Sequence, residues 1–229
     1  MRVSGTATIR IANVICVTRL GEIHVWITKK GIRMKNINLE IAKGGIGGKG
    51  KHNRSPMDFY STPRECTEAL IDFLEERGEM DPTMKIWEPA CGEGAICQVL
   101  TERRYVVVAS DIREDCKYGN GGVDFLTCNG LFFYNMIITN PPFNVSEAFI
   151  NKCMGLGVPF ALLLKSQYWH SKKRLALFRQ RKPKYVCPLT WRPSFTGKAN
   201  LMDFIWTIWD KDNVKDTRYF PLEKPIQRK

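Results

Sequence analysis

Residues 84–100 read MKIWEPACGEGAICQVL: a short apolar run, a turn of small residues, and a segment with helically spaced apolar side chains. A short apolar run that stops at Glu88-Pro89 predicts a buried strand. Small residues between a strand and a helix let a ligand approach the backbone, and the first helical turn offers unpaired N–H groups. The stretch therefore predicts a strand–turn–helix unit with a ligand site at its turn.

The same alternation of strand and helix patterns continues along the chain. Strand patterns lie at 84–90, 105–112, 136–140, 158–166, 184–190 and 202–210, and helical patterns lie at 63–80, 95–104, 145–157 and 171–183. Strands that alternate with helices predict an α/β fold, a mostly parallel sheet with helices on both faces.

The flanking regions differ from this pattern. Residues 6–28 alternate apolar and polar side chains, which predicts a strand pair, and residues 43–56 are glycine-rich and basic, which is typical of a linker. We therefore expect an N-terminal extension at 1–50 with a β hairpin and this linker, a catalytic domain at 51–210, and a polar, loosely held tail at 211–229.

Charge divides the chain into three parts. Residues 1–57 carry 11 Lys and Arg against 2 Asp and Glu (+9), residues 58–165 carry 9 against 16 (−7), and residues 166–229 carry 15 against 5 (+10), which together give the net +12. Clustered positive charge is the usual footprint of a polyanion partner, so it favours nucleic acid. The alternative is a solubilising surface with basic tails.

Composition also bounds the compartment and the chemistry. No apolar run approaches the roughly 20 residues of a membrane span, and no secretory signal pattern precedes residue 30, so we expect a cytoplasmic protein without membrane contact, from a bacterium or a phage-infected host cell. The eight cysteines are scattered without a CxxC pair, which favours reduced core thiols and no metal site.

Acidic residues follow successive strands. The GxGxxG fingerprint is not met and no GK[ST] is present, so neither dinucleotide nor phosphate-loop binding is indicated. Glu88 before the turn would repel a pyrophosphate but suits a cationic ligand. Asp111 lies where an acid would bind a ribose diol, and Asp124 beside Phe125 suits the edge and face of an adenine. This order favours a nucleoside ligand without a polyphosphate.

The stretch IITNPPF, residues 137–143, ends another strand with an amide, two prolines and an aromatic ring. Two prolines remove backbone donors and fix φ, so a rigid carbonyl stays available beside the Asn140 side-chain oxygen. Two acceptors suit an NH₂ group, and Phe143 could stack on the ring that bears it. A proline turn with a half-buried Asn140 is the alternative.

Asn140-Pro141-Pro142-Phe143 together with the upstream Glu88-Pro89-Ala90-Cys91-Gly92-Glu93-Gly94 resembles the S-adenosylmethionine-dependent amino-methyltransferases. The match is most like DNA adenine-N6 methyltransferases of the small type carried by phages and prophages. Residues 58–63 (DFYSTP) resemble the cofactor motif of that family, and the likeness covers roughly residues 56–210. The resemblance implies a Rossmann-like class I methyltransferase fold with a seven-stranded sheet, S-adenosylmethionine as cofactor and DNA as partner.

The resemblance also implies roles for individual residues. The predicted cofactor-binding residues are Tyr60, Thr62, Pro63, Glu88, Ala90, Gly92, Asp111, Asp124 and Phe125. The predicted catalytic residues are Asn140, Pro141, Pro142 and Phe143. Asn140 and the Pro141 carbonyl would accept hydrogen bonds from the target amino group, and Phe143 would stack on the target base.

Two basic, aromatic-containing stretches at 164–184 and 191–198 are the candidates for substrate contact, because Lys and Arg suit phosphates and aromatic rings suit bases. The predicted substrate-binding residues are Lys165, Tyr168, Trp169, Lys172, Lys173, Arg174, Trp191, Arg192 and Phe195. A solvated basic helix and core aromatics are the alternative.

Three other functions fit the same turn. Enzymes that methylate guanine N2 in ribosomal RNA or a glutamine amide in proteins also present acceptors to an NH₂ group. A non-catalytic nucleic-acid-binding module on a methyltransferase scaffold is a further alternative, from a different class.

Overall fold

The structure is a computed structural model. It describes the backbone of residues 7–11, 14–19 and 22–26, and then residues 61–128, 133–195, 201–211 and 216–226. The chain divides into two compact units, Met1–Gly48 and Lys49–Lys229. The glycine-rich stretch expected as a linker, residues 43–56, lies outside the described residues.

The first unit contains an antiparallel sheet of three strands, in the order β1-β2-β3. These are β1 (Ala7–Ile11), β2 (Val14–Arg19) and β3 (Glu22–Trp26). Ile11 pairs with Val14 and Arg19 pairs with Glu22, so neighbouring strands are paired up to their terminal residues. The alternating pattern that predicts a strand pair thus contains a third strand.

The second unit is built on a seven-stranded sheet with the strand order β10-β8-β9-β7-β6-β4-β5. Its strands are β4 (Lys85–Glu88), β5 (Val106–Ala109), β6 (Met136–Thr139), β7 (Phe160–Lys165), β8 (Tyr185–Pro188), β9 (Phe204–Trp209) and β10 (Arg218–Tyr219). Its α-helices are α1 (Arg64–Glu76), α2 (Ala95–Glu102), α3 (Ser146–Leu156) and α4 (Leu175–Gln180). Strand β9 runs antiparallel to both neighbours and every other pairing is parallel. The predicted α/β fold with a mostly parallel seven-stranded sheet is confirmed.

Successive side chains of the central strands enter two different cores. In β6, Met136 and Ile138 pack in the cluster that contains α1 and α2, whereas Ile137 packs in the cluster that contains α3. This follows from the two-residue period of a strand, and it explains why β6 and β7 are almost continuously apolar. Helices therefore cover both faces, as predicted. In the described part of the chain, none of the helices combines the length and apolarity that a membrane crossing requires.

The topology places a crevice beside β4. From β4 the chain moves outward to β5, the last strand on that side, and then returns to β6 on the other side of β4. Open α/β sheets bind ligands at such a switch point, outside the carboxyl ends of the strands. Glu88 ends β4 and Asn140 follows β6, so the two motifs that the sequence singles out meet at this crevice.

The expectation of a loosely held C-terminal tail is wrong for residues 216–226. Strand β10 pairs in parallel with β8, and the buried Leu222 exchanges backbone hydrogen bonds with Pro188 (2.8 Å) and Thr190 (3.0 Å). The half-buried Phe220 packs on Phe73 at a ring-centroid distance of 5.5 Å. This segment packs on the core although it is mostly polar, because its apolar side chains at alternate positions reach the core while the residues between them stay exposed.

The basic helix predicted over 171–183 is shorter in the structure. A 3-10 turn at Lys172–Arg174 leads into α4, which ends at Gln180. Its apolar contacts come from two partly buried residues, Leu177 and Phe178, and the ring of Phe178 stacks on Trp169 with centroids 4.1 Å apart. A helix with so narrow a buried stripe has little tertiary support for a longer course.

Candidate active site

Glu88 is a buried acid at the carboxyl end of β4. Its side chain is 1% exposed, and its Oε1 accepts a hydrogen bond from the Ala90 N–H at 3.2 Å. Its Oε2 is buried and has no hydrogen-bond partner among the described residues. Burial raises the pKa of the Glu88 carboxyl well above its usual value. A cation that approached Oε2 would reverse that effect by stabilising the carboxylate.

The glycine turn is tied to the end of β5 by Asp111. The Gly92 N–H donates to Asp111 Oδ2 at 2.7 Å, and the Arg113 N–H donates to Oδ1 at 2.9 Å. Gly92 and Gly94 have φ of +54° and +85°, in the left-handed region that glycine adopts without strain. Asp111 is buried, and both of its oxygens already accept one bond, so a ribose would have to share them. In the structure, Asp111 therefore also stabilises the conformation of the glycine turn.

Asp124 and Phe125 lie in a tight turn between β5 and β6. Asp124 accepts hydrogen bonds from the Leu126 N–H at 2.9 Å and the Thr127 hydroxyl at 3.1 Å. The Phe125 ring is 2% exposed and packs between Trp87 and Phe149, with centroid distances of 5.2 and 4.7 Å. The ring is therefore not available for stacking on an adenine, because Trp87 and Phe149 already pack against it in the core.

Asn140 follows β6 and contacts Thr62, which precedes α1. Its Nδ2 donates to the Thr62 hydroxyl at 3.0 Å, while its Oδ1 is buried without a partner among the described residues. Pro141 is buried, and the Pro142 carbonyl accepts the Val145 N–H at 3.1 Å and so closes the turn. The proline turn thus holds an amide whose acceptor atom is free.

An open cavity of about 360 Å³ lies beside Thr62. Its lining includes Pro63, Ala95 and Phe195. Thr62 and Pro63, predicted to bind the cofactor, therefore share one concave surface with Phe195, predicted to bind the substrate, whereas Glu88 and Asn140 are not part of its lining. Tyr60 lies outside the described residues.

Of nine buried side-chain polar atoms that lack a hydrogen-bond partner within the described residues, three lie at the ends of β4 and β6: Glu88 Oε2, Thr139 Oγ1 and Asn140 Oδ1. The Thr139 hydroxyl faces the Glu88 carboxyl and partly offsets the rise that burial causes in the pKa of that carboxyl. Buried polar atoms in folded proteins are nearly always hydrogen-bonded, so this cluster at one sheet edge, and Asn140 Oδ1 above all, indicates a place where a ligand supplies partners. Thr139 was missed by the sequence analysis. A hydroxyl directly before Asn140, at the end of an otherwise apolar strand, was the available signal.

Phe143 is half-buried and lies against Phe204 with centroids 6.0 Å apart. The Lys165 ammonium lies over the Phe143 ring, 4.0 Å from its centroid. The ring face that Lys165 covers is closed to a base in this arrangement. Stacking on a target base would use the remaining face or displace the ammonium.

The predicted substrate-binding residues fall into two groups. Lys172 and Lys173 are exposed, as phosphate contacts require. The others are packed or paired. Tyr168 is buried beneath the Arg174 guanidinium, Trp169 stacks on Phe178, Phe195 packs on Phe204, Trp191 packs on the core, and the exposed Arg192 pairs with Asp203 at 2.9 Å. The aromatic members of the set therefore contribute to packing here.

Comparison with solved structures places the fold. A proposed class I S-adenosylmethionine-dependent methyltransferase of Listeria monocytogenes superposes with a TM-score of 0.52 and 14% identity, over 71% of this chain and 65% of that one. A proposed RNA methyltransferase of Pyrococcus horikoshii gives a TM-score of 0.54 and 12% identity, over 73% of this chain and 94% of that one. The modification subunit of a proposed type I restriction enzyme of Vibrio vulnificus gives 0.50 and 14%, over 74% of this chain and 48% of that one.

These likenesses establish the class I methyltransferase fold for this chain. Because the sequence identities are low, the likenesses establish the fold alone. The chain spans less than two thirds of the Listeria and Vibrio proteins. No protein-family model matches the sequence. No curated protein matches it either.

Proposed function

We propose that this protein transfers a methyl group from S-adenosylmethionine to the exocyclic N6 amino group of adenine in DNA. The observation that carries the proposal is the Asn140 amide. Its Oδ1 is a buried acceptor with no partner among the residues that the structure describes, and it lies at the switch point of the sheet, inside a turn that two prolines make rigid. An acceptor held in that way suits an NH₂ group brought from outside.

The residues at the crevice fit the proposed cofactor. S-adenosylmethionine carries a sulfonium, an ammonium and a ribose diol, and no phosphate. The buried Glu88 carboxylate suits a cationic group, and Asp111 keeps one further lone pair on each oxygen for hydroxyls. Bound there, the cofactor would supply an electrophilic methyl group.

Asn140 would then activate the nucleophile. The lone pair of an aromatic amine is delocalised into its ring, so the amine is a weak nucleophile. An N–H···O hydrogen bond to Asn140 Oδ1 and a second to the Pro141 carbonyl would draw the nitrogen toward tetrahedral geometry and localise that lone pair. Fixed acceptors need no reorganisation during the reaction, which is how preorganised sites lower barriers. A base inside a duplex cannot reach such a buried acceptor, so the target adenine would be flipped out or single-stranded.

Charge supports nucleic acid as the substrate class. Residues 166–229 carry 15 Lys and Arg against 5 Asp and Glu, and this part contains the exposed Lys172 and Lys173. A positively charged segment of this kind favours a substrate that carries phosphates. A protein substrate with a target glutamine would fit it only if that protein were acidic. The choice of adenine in DNA rests on the resemblance of residues 58–63, 88–94 and 140–143 to that enzyme family.

Methyl transfer from radiolabelled S-adenosylmethionine tests the proposal, with unmethylated DNA, ribosomal RNA and total protein as parallel substrates. We expect label in N6-methyladenine after digestion of the DNA. Label only in RNA guanine or in protein glutamine would contradict the DNA assignment. If cofactor binding is measurable but no substrate is labelled, the protein is a non-catalytic module.

Asn140→Ala tests the site itself. We expect kcat to fall by about 10²- to 10³-fold, the usual loss when one preorganised transition-state contact is removed. The dissociation constant for the cofactor should change little, because the variant retains Glu88 and Asp111. Asn144→Ala, at an exposed position in the same segment, is the matched control and should keep wild-type turnover. Equal activity of the two variants would contradict a catalytic role for Asn140.

A further inference from the structure

Within the part of the chain that the structure describes, the hydroxyl of Thr62 is the hydrogen-bond partner of the Asn140 side-chain amide, and it lies in a distant segment, just before α1. We propose that Thr62 is a positioning residue: by accepting one hydrogen of Asn140 Nδ2, it turns Asn140 Oδ1 toward the target amino group. This proposal rests on the proposed function. It differs from the role that family resemblance gives Thr62, which is contact with the cofactor.

The orientation of an asparagine amide is set by its hydrogen bonds, since its oxygen and nitrogen ends are nearly equal in shape. In the observed orientation one amide hydrogen is satisfied by Thr62 and one acceptor, Oδ1, is left buried without a partner. The reversed amide would leave both N–H hydrogens at that buried position. Orphaned buried donors are rarer in proteins than under-satisfied oxygens.

The reversed amide would also present donors to a target that is itself a donor. A target NH₂ group needs an acceptor, so only the observed orientation supports the proposed reaction. The Thr62 hydroxyl can accept from Nδ2 or donate to an amide oxygen, so it fixes the plane of the Asn140 amide, and the cost of two buried, unsatisfied N–H hydrogens favours the observed, productive orientation before any ligand arrives.

The fold holds the Thr62 hydroxyl in place independently of ligand. Thr62 is 6% exposed and precedes Pro63, whose ring restricts the backbone of the preceding residue to extended conformations. Pro63 is the N-cap of α1, and its carbonyl accepts the Cys66 N–H at 3.0 Å. Helix α1 in turn buries Cys66, Ala69 and Leu70 in the core. Thr62 is thus anchored to a helix whose buried face is part of the hydrophobic core.

The test compares three variants in methyl transfer to unmethylated DNA at saturating cofactor. Thr62→Val keeps the shape and removes the hydroxyl, and Thr62→Ser keeps the hydroxyl. Thr67→Val is the matched control, because Thr67 is a buried threonine on α1 whose Oγ1 has no partner among the described residues. We expect Thr62→Val to lower kcat about tenfold, equivalent to ~1.4 kcal/mol. Thr62→Ser should recover most of that loss, and Thr67→Val should match the wild type.

Two further readouts separate positioning from cofactor contact. In Thr62→Val, the KM for S-adenosylmethionine from steady-state kinetics and its dissociation constant from isothermal titration should stay within about twofold of the wild-type values. In an Asn140→Ala background, Thr62→Val should lower kcat no further, because a residue that acts through Asn140 has nothing left to position.

The outcomes that overturn the proposal are distinct. An unchanged kcat with weakened cofactor binding would make Thr62 a cofactor contact only. A Thr62→Ser variant as slow as Thr62→Val would show that the hydroxyl is not responsible. If Thr62→Val does not fold, the kcat of Thr62→Ser and of Thr62→Ala decides, with the same expected order. A wild-type protein that methylates no substrate would overturn the proposed function and this inference with it.

Discussion

Gly94, at the end of the glycine turn, offers a quantitative test of how the turn is held. Its φ is +85°. A Cβ built on Gly94 would overlap the Cγ and Cδ2 atoms of Tyr118 and lie 2.9 Å from the Tyr118 Cβ. These atoms are the base of the side chain, so rotation of the ring alone does not relieve the overlap. Gly94→Ala should therefore carry both a backbone cost and a packing cost.

Gly78 separates the two costs. Its φ of +65° is also left-handed, but a Cβ there would meet nothing within 4 Å. Gly78→Ala should lower the free energy of unfolding by the backbone cost alone, about 1–2 kcal/mol. Gly94→Ala should lose a further ~1–3 kcal/mol from overpacking.

Urea unfolding of the two variants measures the difference directly, provided that the m-value is unchanged. Tyr118→Ala combined with Gly94→Ala should remove the packing cost, and the double variant should then lose no more from the alanine at 94 than Gly78→Ala does. Equal destabilisation by Gly78→Ala and Gly94→Ala in the presence of Tyr118 would refute the reasoning. It would mean that the Tyr118 loop moves away freely.

Two other perturbations have expected outcomes. Leu222→Ala should lower the free energy of unfolding by about 2–3 kcal/mol, since Leu222 is 6% exposed. Ile226→Ala is the control in the same urea assay and should be neutral, because Ile226 is 91% exposed. Equal effects of the two substitutions would mean that the tail does not pack on β8 in solution. Without ligand, stability should fall as pH rises from about 4.5, the ordinary carboxyl value, because the raised pKa of Glu88 leaves the folded state holding a proton that the unfolded state has lost. Glu88→Gln should flatten that part of the stability profile, and an identical slope in the variant would contradict it.

The central strands were predictable because their signals are local. In β6 and β7 the apolar runs are bounded by turns, and the carboxyl-edge positions of Glu88 and Asn140 follow from strand order. The switch point itself needs the strand pairing, but in parallel α/β folds the ligand site lies at the carboxyl ends of the strands in either case. That is why the ends of β4 and β6 could be named as a site in advance.

The errors occurred where tertiary contacts outweigh local pattern. Strand β10 is two residues long, and it is stable because β8 supplies its partners. Phe125 stands beside an acid in sequence but packs between two aromatic rings from other elements. The Thr62–Asn140 contact joins distant positions, and residue types alone do not reveal it.

The terminal position of β5 in the sheet has a consequence for solubility. Residues 105–109 read YVVVA, an uncharged β-branched run, and Val106 is 52% exposed. Asn120 covers the outer edge at Ala109 and Ser110, but the rest of that edge has no strand partner among the described residues, and such an edge is a template for pairing with a second chain. Arg103 is paired with Asp72 and Glu75 of α1, but the exposed Arg104 directly precedes this run, and a charge at that position repels an incoming copy, as gatekeeper residues do beside aggregation-prone segments. We therefore expect the loss of the Arg104 charge to appear first as aggregation at high protein concentration, before any change in the fold of a single molecule.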